Sequence, residues 1–504
     1  MSQDEFILAE DGAHAHDGLL EIGPRWRELA LAGELSRAFI LLAGESLHGP
    51  AMVAGEEGLV WLKVGPGLPQ ISADGLDVEL WLQAGGGMRR LLCWHLANGD
   101  VEKQELAVPL PLPAGTPYRL VLRCGAGPQG DPSADWLAVL EWVAGPAGRL
   151  SLLRARCHGD WRMHNEVAHF SGAYDRDFYA GRRIERSDGG GAAGIRRLPA
   201  DASHIPAIDG AALARDLGDP APIPGENTFE YAHRLLGLLL PLPAPDFAAR
   251  LRERQQLRAG QPLRMLSLCA GEAAVEGMLL EQAGVPVRLC LVDVNEGLLE
   301  RASRRMPANV EVDRVLASVN DIGPGLGRFD LVNITSGLHH LVELERVLAA
   351  IAAMLAPGGE FWLVGEQVGR NGNRLWPDAL RAADAVFSAW PDDKRRNAGT
   401  GRIDARLPRT DFASACFEGI RSQDIEELLG RYFLPVDVHL RDAFLWRLVD
   451  PAYAGNFDLS DAGDRRLLRE AAVAEAVHWL EGGRGTSLNG VFRPKRGLVA
   501  AAAP

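Results

Sequence analysis

Apolar and polar residues alternate in short runs over the first part of the chain. Stretches such as GLVWLKV, LDVELWLQA and PYRLVLRC are separated by turn residues, and no helical period lies between them. Alternation with a period of two is typical of strands that bury one face. The pattern predicts an antiparallel β-sandwich over residues 36–158, with RLSLLRAR at 149–156 as its final strand. A tight hairpin turn is predicted at Asn98 and Gly99, since these residue types tolerate positive φ.

The pattern changes twice after this region. Residues 159–227 are rich in glycine, proline and aspartate and are predicted to form an irregular linker, while residues 1–35 precede the sandwich as an N-terminal segment. From 228 to 500, strand-like runs such as LRMLSL, VRLCLVDV and FDLVNIT alternate with helical ones. The apolar stripe of the helix VELERVLAAIAAMLAPGG comprises Leu344, Val347, Leu348, Ile351 and Leu355. This alternation predicts an α/β fold, a parallel sheet with helices on both faces.

Composition limits the class of protein. The chain has 504 residues, of which 47% are apolar and 24% charged, and these values are ordinary for a globular protein. The net charge of −14 argues against a nucleic-acid partner, because binding to phosphates needs clustered Lys and Arg. The longest apolar run, at 235–242, is too short for a membrane span and is broken by Pro241.

Cysteine and histidine spacing gives no metal motif. The six cysteines include no CxxC pair, and His158, His164 and His169 lack a tight ligand spacing, so no metal site is predicted. The N-terminus is acidic and has no apolar h-region, so we expect no secretory signal and a cytoplasmic location.

Polar side chains follow the predicted parallel strands, at the edge where an open α/β sheet binds its ligands. Asp293 ends the second of these strands, and an acid there accepts hydrogen bonds from the two hydroxyls of a ribose. The alternative is that Asp293 caps the following helix, EGLLERA. The loop after the first strand, CAGEAAVEG, is not GxGxxG, so the sequence does not favour a nicotinamide oxidoreductase.

Five short motifs stand in a characteristic order in the second half of the chain: LSLCAGEAAVE, LHHLVELE, LAPGGEFWLVGEQVG, FEGIRSQDIEELL and AGNF. With them, the region from about 225 to 496 resembles the class I S-adenosylmethionine-dependent methyltransferases. It looks most like a bacterial subfamily whose first motif reads LSLGCGxGxxE. The resemblance implies a Rossmann-like seven-stranded sheet with its last strand antiparallel, and S-adenosylmethionine as the cofactor.

The resemblance also implies which residues hold that cofactor. Asp293 matches the ribose-binding acid, and Gly271 matches the last glycine of the first motif. The implied cofactor-binding residues are Leu268, Cys269, Ala270, Gly271, Asp293, Val294, Ser318, Val319 and Asn320. The motif normally begins Gly-Cys-Gly, where Cys269 now stands first, so a Cβ lies where the backbone should approach the cofactor. Ser318 replaces the acid that usually lies beside the adenine.

Candidate catalytic residues come from the same alignment of motifs. His340 and His339 match the pair that follows the fourth strand, where the acceptor usually lies, and Glu366 matches the acid that ends the fifth. A neutral imidazole takes up a proton at cytoplasmic pH, so these residues are candidate bases. Alternatively, one His caps the next helix and the other packs, while Glu366 bonds its own loop.

The loop after the fifth strand, QVGRNGNRLWPDAL, would face the acceptor if the family geometry holds. The candidate acceptor-binding residues in this loop are Arg370, Asn371, Asn373, Arg374 and Trp376. Arginine with asparagine suits hydroxylated or anionic molecules. A loop tied down by its own amides is the alternative.

The expected activity is oxygen methylation of a sugar, glycan or other hydroxylated small molecule, because relatives of this subfamily accompany enzymes of polysaccharide biosynthesis. The alternative is a non-catalytic binding or assembly protein, which the altered first motif favours. Five tryptophans of the front half (Trp61, Trp81, Trp94, Trp136 and Trp142) are interpreted mainly as core, with stacking on sugar rings as the alternative. The sandwich would bind substrate or serve self-association as a homo-oligomer.

Overall fold

The structure is a computed structural model, and it describes residues 3–8, 15–17, 25–31, 34–68, 74–97, 102–175, 209–240, 244–258 and 260–495. The chain divides into two compact units. The first, here called the antiparallel unit, comprises residues 1–166 and 414–417. The second, here called the α/β unit, comprises residues 167–413 and 418–504.

The antiparallel unit is built of strands that pair in antiparallel register. They are β1 (Phe6–Ile7), β2 (Ala15–Asp17), β3 (Trp26–Leu31), β4 (Glu34–Leu42), β5 (Ser46–His48), β6 (Met52–Val53), β7 (Gly58–Pro66), β8 (Leu76–Ala84), β9 (Gly87–Leu96), β10 (Gln104–Pro109), β11 (Pro117–Gly125) and β12 (Trp136–Pro146). One sheet has the order β10-β7-β12-β4-β3 with β1 on β12, and the other has the order β2-β5-β11-β8-β9 with β6 on β11. Buried side chains from both sheets, such as Leu62 and Leu80, share one apolar cluster.

Two local predictions for this unit are wrong. The step at Asn98 and Gly99 lies outside the described residues, but the strands on either side of it, β9 and β10, belong to different sheets and form no hairpin. RLSLLRAR forms helix α1 (Leu150–Arg156) rather than a strand. Leu150, Leu153 and Cys157 are buried together at helical spacing, and this burial decides between two conformations that a short apolar run leaves open.

Helices also occur in the segment predicted to be an irregular linker. Helix α2 (Gly159–Asp175) follows α1, and α3 (Gly210–Leu217) precedes the α/β sheet. The side chain of Asp209 accepts the backbone N–H groups of Ala211 and Ala212 and so caps α3. Residues 176–208, which carry most of the glycine-rich stretch, lie outside the described residues.

The α/β unit contains a single mixed sheet among its described residues. Its strands are β13 (Leu263–Leu268), β14 (Val287–Asp293), β15 (Val310–Leu316), β16 (Phe329–Thr335), β17 (Leu355–Gln367), β18 (Phe433–Arg441) and β19 (Ser487–Pro494). They lie in the order β15-β14-β13-β16-β17-β19-β18. The first five pair in parallel, whereas β19 is antiparallel to both β17 and β18.

Helices cover both faces of this sheet. They are α4 (Thr228–Leu239), α5 (Phe247–Gln256), α6 (Ala274–Ala283), α7 (Glu296–Arg305), α8 (Leu344–Met354), α9 (Pro377–Ala389), α10 (Ile425–Tyr432), α11 (Leu445–Leu448) and α12 (Ala462–Leu480). Successive residues of a strand point to opposite faces, and Met265 and Leu266 of β13 accordingly join different apolar clusters. The predicted α/β fold is therefore confirmed.

The apolar stripe predicted for α8 is buried. Its first four residues have no exposed surface, and the fifth, Leu355, is 3% exposed. The helix ends earlier than predicted, because the chain enters β17 at Leu355. In the part of the chain that the structure describes, no helix combines the length and apolarity that crossing a membrane requires.

Candidate functional site

The loop between β13 and α6 has the backbone conformation of a glycine-rich turn. Cys269, Gly271 and Ala273 have φ angles of 52°, 51° and 48°. Only glycine adopts this left-handed region without a steric cost. The turn that a first-position glycine normally makes is thus retained at Cys269. Its Cβ is accommodated by Gly337, since a Cβ built on Gly337 would lie 2.6 Å from it.

Asp293 lies at the tip of β14, beside this loop. Its Oδ2 accepts the N–H of Gly271 at 2.9 Å, and its Oδ1 accepts the N–H of Asn295 at 2.9 Å. Burial raises the pKa of Asp293, although these N–H groups favour its charged form. Asp293 is not the cap of α7, which was the alternative interpretation. The side chain of Asn295 caps this helix by accepting the N–H of Leu298. The N–H of Val294 also favours the charged form of Asp293. Because a carboxylate accepts about four hydrogen bonds, the residue keeps capacity for a ligand hydroxyl and fits a ribose.

Other cofactor candidates lie at the same edge of the sheet. Leu268 is fully buried in the core, Ala270 is buried beside β14, and Val294 is 38% exposed next to Asp293. Ser318 is partly exposed, and Val319 is buried. The structure thus brings the first two motifs together, but it gives Leu268 and Val319 apolar core contacts.

Asn320 holds a loop rather than pointing freely into solvent. Its Oδ1 accepts the N–H groups of Val342 and Glu343, at 3.0 and 2.9 Å. The segment beside the predicted adenine position is therefore tied to the loop that carries the histidine pair.

Two acidic residues of the first motif were not singled out from the sequence. Glu276 is 1% exposed and accepts hydrogen bonds from Ser267, Asn333 and Thr335 at 2.8 to 2.9 Å. Burial raises the pKa of Glu276. Glu272 forms ion pairs with Arg301 and Arg305 of α7. The final Glu of the motif LSLGCGxGxxE signalled the first of these residues.

Glu366 organises the loop after β16. Its side chain is fully buried and accepts the N–H groups of Gly337, Leu338 and His339, together with Nδ1 of His339 at 2.7 Å. Burial opposes its charge, but His339 and the N–H groups hold the pKa of Glu366 below its ordinary value. Its oxygens are thus occupied mainly by the loop after β16, whereas the alternative placed these bonds in the loop QVGRNGNR, which contributes the N–H of Gln367.

His339, His340 and Glu418 form a compact group, here called the imidazole cluster. Nε2 of His339 lies 3.4 Å from Oε1 of Glu418, and Nε2 of His340 lies 3.5 Å from its Oε2. The two rings are 4.1 Å apart between centroids, and Phe170 meets His340 edge to face. Burial disfavours charge on His339, but Glu366 and Glu418 outweigh it and raise its pKa to about 10. His340 is the more accessible ring, with 15% of its side chain exposed against 2% for His339.

Glu418 was not among the predicted site residues, although it lies in the motif FEGIRSQDIEELL. Asn373 donates from Nδ2 to its Oε1 at 2.7 Å. Gly419 has φ of 75°, and a Cβ there would lie 2.5 Å from the backbone nitrogen of Asn373. Only glycine therefore lets the two loops approach this closely.

Arg421 fixes the same segment to the histidine loop. Its guanidinium binds both carboxylate oxygens of Glu345 at 2.8 Å, pairs with Asp424 at 2.7 Å and donates to the carbonyl of Val342 at 2.8 Å. The N–H of Ile420 also donates to the carbonyl of His339. A bidentate arginine of this kind positions both loops.

The predicted acceptor-binding loop is largely held by its own hydrogen bonds. Asn371 and Gln423 each accept the backbone N–H of the other through their side chains. Arg374 donates to the carbonyl of Asn371, and Arg370 forms an isolated β-bridge with Arg374. Trp376 precedes α9 and lies beneath Arg484, at 4.3 Å from the guanidinium carbon to the ring centroid.

Comparison with known proteins indicates the class of domain to which this part of the chain is similar. Residues 265–359 match a family model described as a methyltransferase domain. An uncharacterised protein of Synechococcus is 34% identical over 93 residues, which cover 18% of this chain and 22% of the relative. A ubiquinone/menaquinone biosynthesis C-methyltransferase of Methylobacterium nodulans is 28% identical over 105 residues, covering 20% and 41%. The chain thus spans less than half the length of these curated relatives.

Solved structures also resemble this chain. The plantazolicin methyltransferase BpumL in complex with SAH has 10% identity and a TM-score of 0.28, with 57% of this chain and 95% of that chain covered. An S-adenosylmethionine-dependent methyltransferase from Listeria monocytogenes, described as putative, has 14% identity and a TM-score of 0.27, with 49% and 100% covered.

The matched residues run from β13 to β17, and they include the Asp293 loop and the histidine pair. This part of the protein is a methyltransferase domain. The match supports the class I S-adenosylmethionine-dependent methyltransferase domain that the resemblance implied in the C-terminal half, and with it S-adenosylmethionine as the cofactor.

Proposed function

We propose that the α/β unit transfers the methyl group of S-adenosylmethionine to an oxygen atom of a small hydroxylated molecule. The position of two polar groups beside one loop supports this proposal. Leu268, at the end of β13, pairs with Val292 on one side and with Ile334 on the other. The loop that starts at Cys269 therefore lies between Asp293 and the histidine loop. In this proposal the nucleoside site and the acceptor site lie at the ends of the two strands that flank β13.

We assign the chain's own residues separate parts of this task. Asp293 binds the ribose hydroxyls, and the N–H of Gly271 holds its carboxylate in place. Val294, exposed at the strand end, covers one side of the base. Bound S-adenosylmethionine supplies a methyl group that is already activated, so positioning is the main work of the protein.

The imidazole cluster activates the acceptor hydroxyl in this proposal. His340 is its accessible member, and an oxygen nucleophile gains reactivity as it loses its proton. Glu366 acts on His339 as a positioning residue, since its oxygens accept hydrogen bonds from the loop after β16, from that ring and from the N–H of Gln367. Asn373 and Arg421 position Glu418 in the same sense.

A second candidate function is cofactor binding without catalysis. Cys269 places a side chain where the subfamily has glycine, and this departure from the motif favours it. The two proposals differ in one outcome, since a binding protein retains affinity for the cofactor and has no turnover.

For the antiparallel unit we propose acceptor binding or self-association. Stacking on a sugar is not open to every tryptophan of its sheets. Arg90 and Arg123 lie over the ring of Trp81, at 5.7 and 5.2 Å, so its faces are covered. Trp142 is fully buried, whereas Trp94 is 41% exposed and is the candidate for stacking.

Transfer of labelled methyl groups tests the proposed activity. The full chain is incubated with methyl-labelled S-adenosylmethionine and a panel of hydroxylated acceptors, including nucleotide sugars and simple phenols. Incorporation into an acceptor that His340→Ala slows, without loss of cofactor binding, supports oxygen methylation. Cofactor binding without incorporation over the whole panel supports the non-catalytic alternative.

A further inference from the structure

The imidazole cluster has the donor set of a metal site, although the sequence spacing gave no sign of one. Two imidazole nitrogens and one carboxylate oxygen, from His339, His340 and Glu418, all lie within 4.8 Å of one another. Adjacent histidines and a carboxylate 78 positions away match no short metal motif. The fold alone brings them together.

The separations between the ligand atoms are those expected around a bound ion. The two contacts of Glu418 with the rings are 3.4 and 3.5 Å long. A charge-assisted hydrogen bond between such groups is about 2.8 Å long. Two ligands that each lie about 2.1 Å from a tetrahedral ion are about 3.4 Å apart.

The surroundings of the cluster are those of a supported ligand set. Nδ1 of His339 meets Oε1 of Glu366 at 2.7 Å, which leaves Nε2 to face Glu418. Metal-binding histidines usually give their second nitrogen to a carboxylate in this way, and the contact fixes both tautomer and orientation. Glu418 is held in turn by Asn373 at 2.7 Å. His339 is almost fully buried, with 2% of its side chain exposed.

We propose that His339, His340 and Glu418 bind one divalent transition-metal ion of the zinc type. Imidazole nitrogens favour such ions, and a single carboxylate is compatible with them, whereas Mg²⁺ and Ca²⁺ require mostly oxygen ligands. Three protein ligands leave a coordination position for water or another oxygen.

A bound ion would also affect catalysis, and this consequence rests on the proposed function. The metal site itself does not depend on that function. An oxygen bound at the open position loses its proton more easily, because the ion stabilises the charge that remains. His340 then serves as a ligand, and the ion activates the acceptor hydroxyl. If the chain binds metal but transfers no methyl group, the proposed metal site is supported and the proposed activity is rejected.

Cobalt(II) titration of the full chain, freed of any histidine tag, tests the proposal. We expect one equivalent to bind with a visible d–d absorption of low-symmetry cobalt, and zinc to displace it. His340→Ala and Glu418→Gln should each weaken binding by about tenfold or more. The matched control is His439→Ala, because His439 also touches a carboxylate, that of Asp437, but has no second imidazole beside it among the described residues.

Three results would overturn the metal site. One is a folded wild-type chain that shows neither d–d absorption nor calorimetric heat with millimolar cobalt or zinc. Another is wild-type affinity in both His340→Ala and Glu418→Gln. The third is an equal loss in His439→Ala, which would place the bound ion elsewhere. Circular dichroism of each variant shows whether a loss of binding comes from unfolding, and the wild-type titration decides without any variant.

Discussion

The side chain of Cys269 occupies the space that a side chain at Gly337 would need. A Cβ at Gly337 would meet the Cβ of Cys269 at 2.6 Å and its Sγ at 3.4 Å. Cys269 also holds φ of 52°, which costs a residue other than glycine about 1 kcal/mol. The loop after β13 can therefore have a cysteine at its first turn, since the residue opposite it in the loop after β16 is a glycine.

Gly337→Ala tests this coupling. Its φ of −139° is open to alanine, so the expected destabilisation of about 2 kcal/mol comes from crowding against Cys269. In the Cys269→Gly background the same change should cost less than half as much. Urea unfolding of the four proteins in a double-mutant cycle measures the difference. Equal costs in both backgrounds would show that the two loops are independent.

Removal of the Arg421 guanidinium should destabilise the α/β unit. Only 4% of this side chain is exposed, and Arg421→Ala leaves the carboxylates of Glu345 and Asp424 without their partner. We expect a loss of about 3 kcal/mol in urea unfolding. Arg431→Ala is the control, since its ion pair with Glu427 is exposed to solvent and contributes little to stability. Similar losses of unfolding free energy in both variants would show that the ion pairs of Arg421 do not stabilise the α/β unit.

Loss of the His340 imidazole should separate chemistry from cofactor binding. In His340→Ala the affinity for S-adenosylmethionine should stay within about twofold, because the cofactor contacts assigned to Asp293 and Gly271 are intact. Turnover with any acceptor that the wild type methylates should fall by about 100-fold or more. Calorimetric titration gives the affinity, and single-turnover kinetics at saturating cofactor give the rate of the chemical step. Wild-type turnover would make the histidine structural.

Acid should weaken the antiparallel unit through Glu141. Burial opposes the charge of this carboxylate, but Arg154, Lys63 and Arg162 outweigh it and lower its pKa from 4.5 to about 2. Because the folded-state pKa is the lower one, the stabilisation is complete above about pH 4.5 and is lost as the pH falls towards 2. The loss amounts to roughly 3 kcal/mol.

Unfolding of wild type and Glu141→Gln between pH 7 and pH 2 checks this prediction. The variant starts less stable at neutral pH, because the arginines remain without their anion, and its stability should fall less steeply with acid. Parallel pH profiles would assign the acid sensitivity to other groups.

Periodicity along the chain predicted the α/β fold well. The central parallel strands, such as LRMLSL and FDLVNIT, are largely apolar runs, and the stripe on α8 from Leu344 to Leu355 has the helical period that its burial requires. RLSLLRAR was misjudged because a short apolar run has no length to separate strand from helix. The partners of β9 and β10 are set by contacts distant in sequence, and a local turn signal such as Asn98-Gly99 carries no information about them.

The candidate site was only partly visible in the sequence. Asp293 and the histidine pair follow strands, so their meeting at one edge follows from parallel topology. Glu418 belongs to a loop that contacts of Arg421 and Asn373 hold against the histidine loop. No spacing rule predicts this contact between distant segments. The occupation of Glu366 by the N–H groups of its neighbouring loop likewise appears only in three dimensions.

Calorimetric titration of S-adenosylhomocysteine into the full chain tests the central assignment most directly. The wild type should bind one equivalent, and Asp293→Ala should weaken binding by about 100-fold, the value of two charge-assisted hydrogen bonds to ribose hydroxyls. Glu311→Ala, which removes an exposed acid near the start of β15, away from the strand ends that carry the site, should bind like the wild type. A folded wild-type chain that gives no heat with millimolar ligand, or an Asp293→Ala variant of unchanged affinity, would contradict the account.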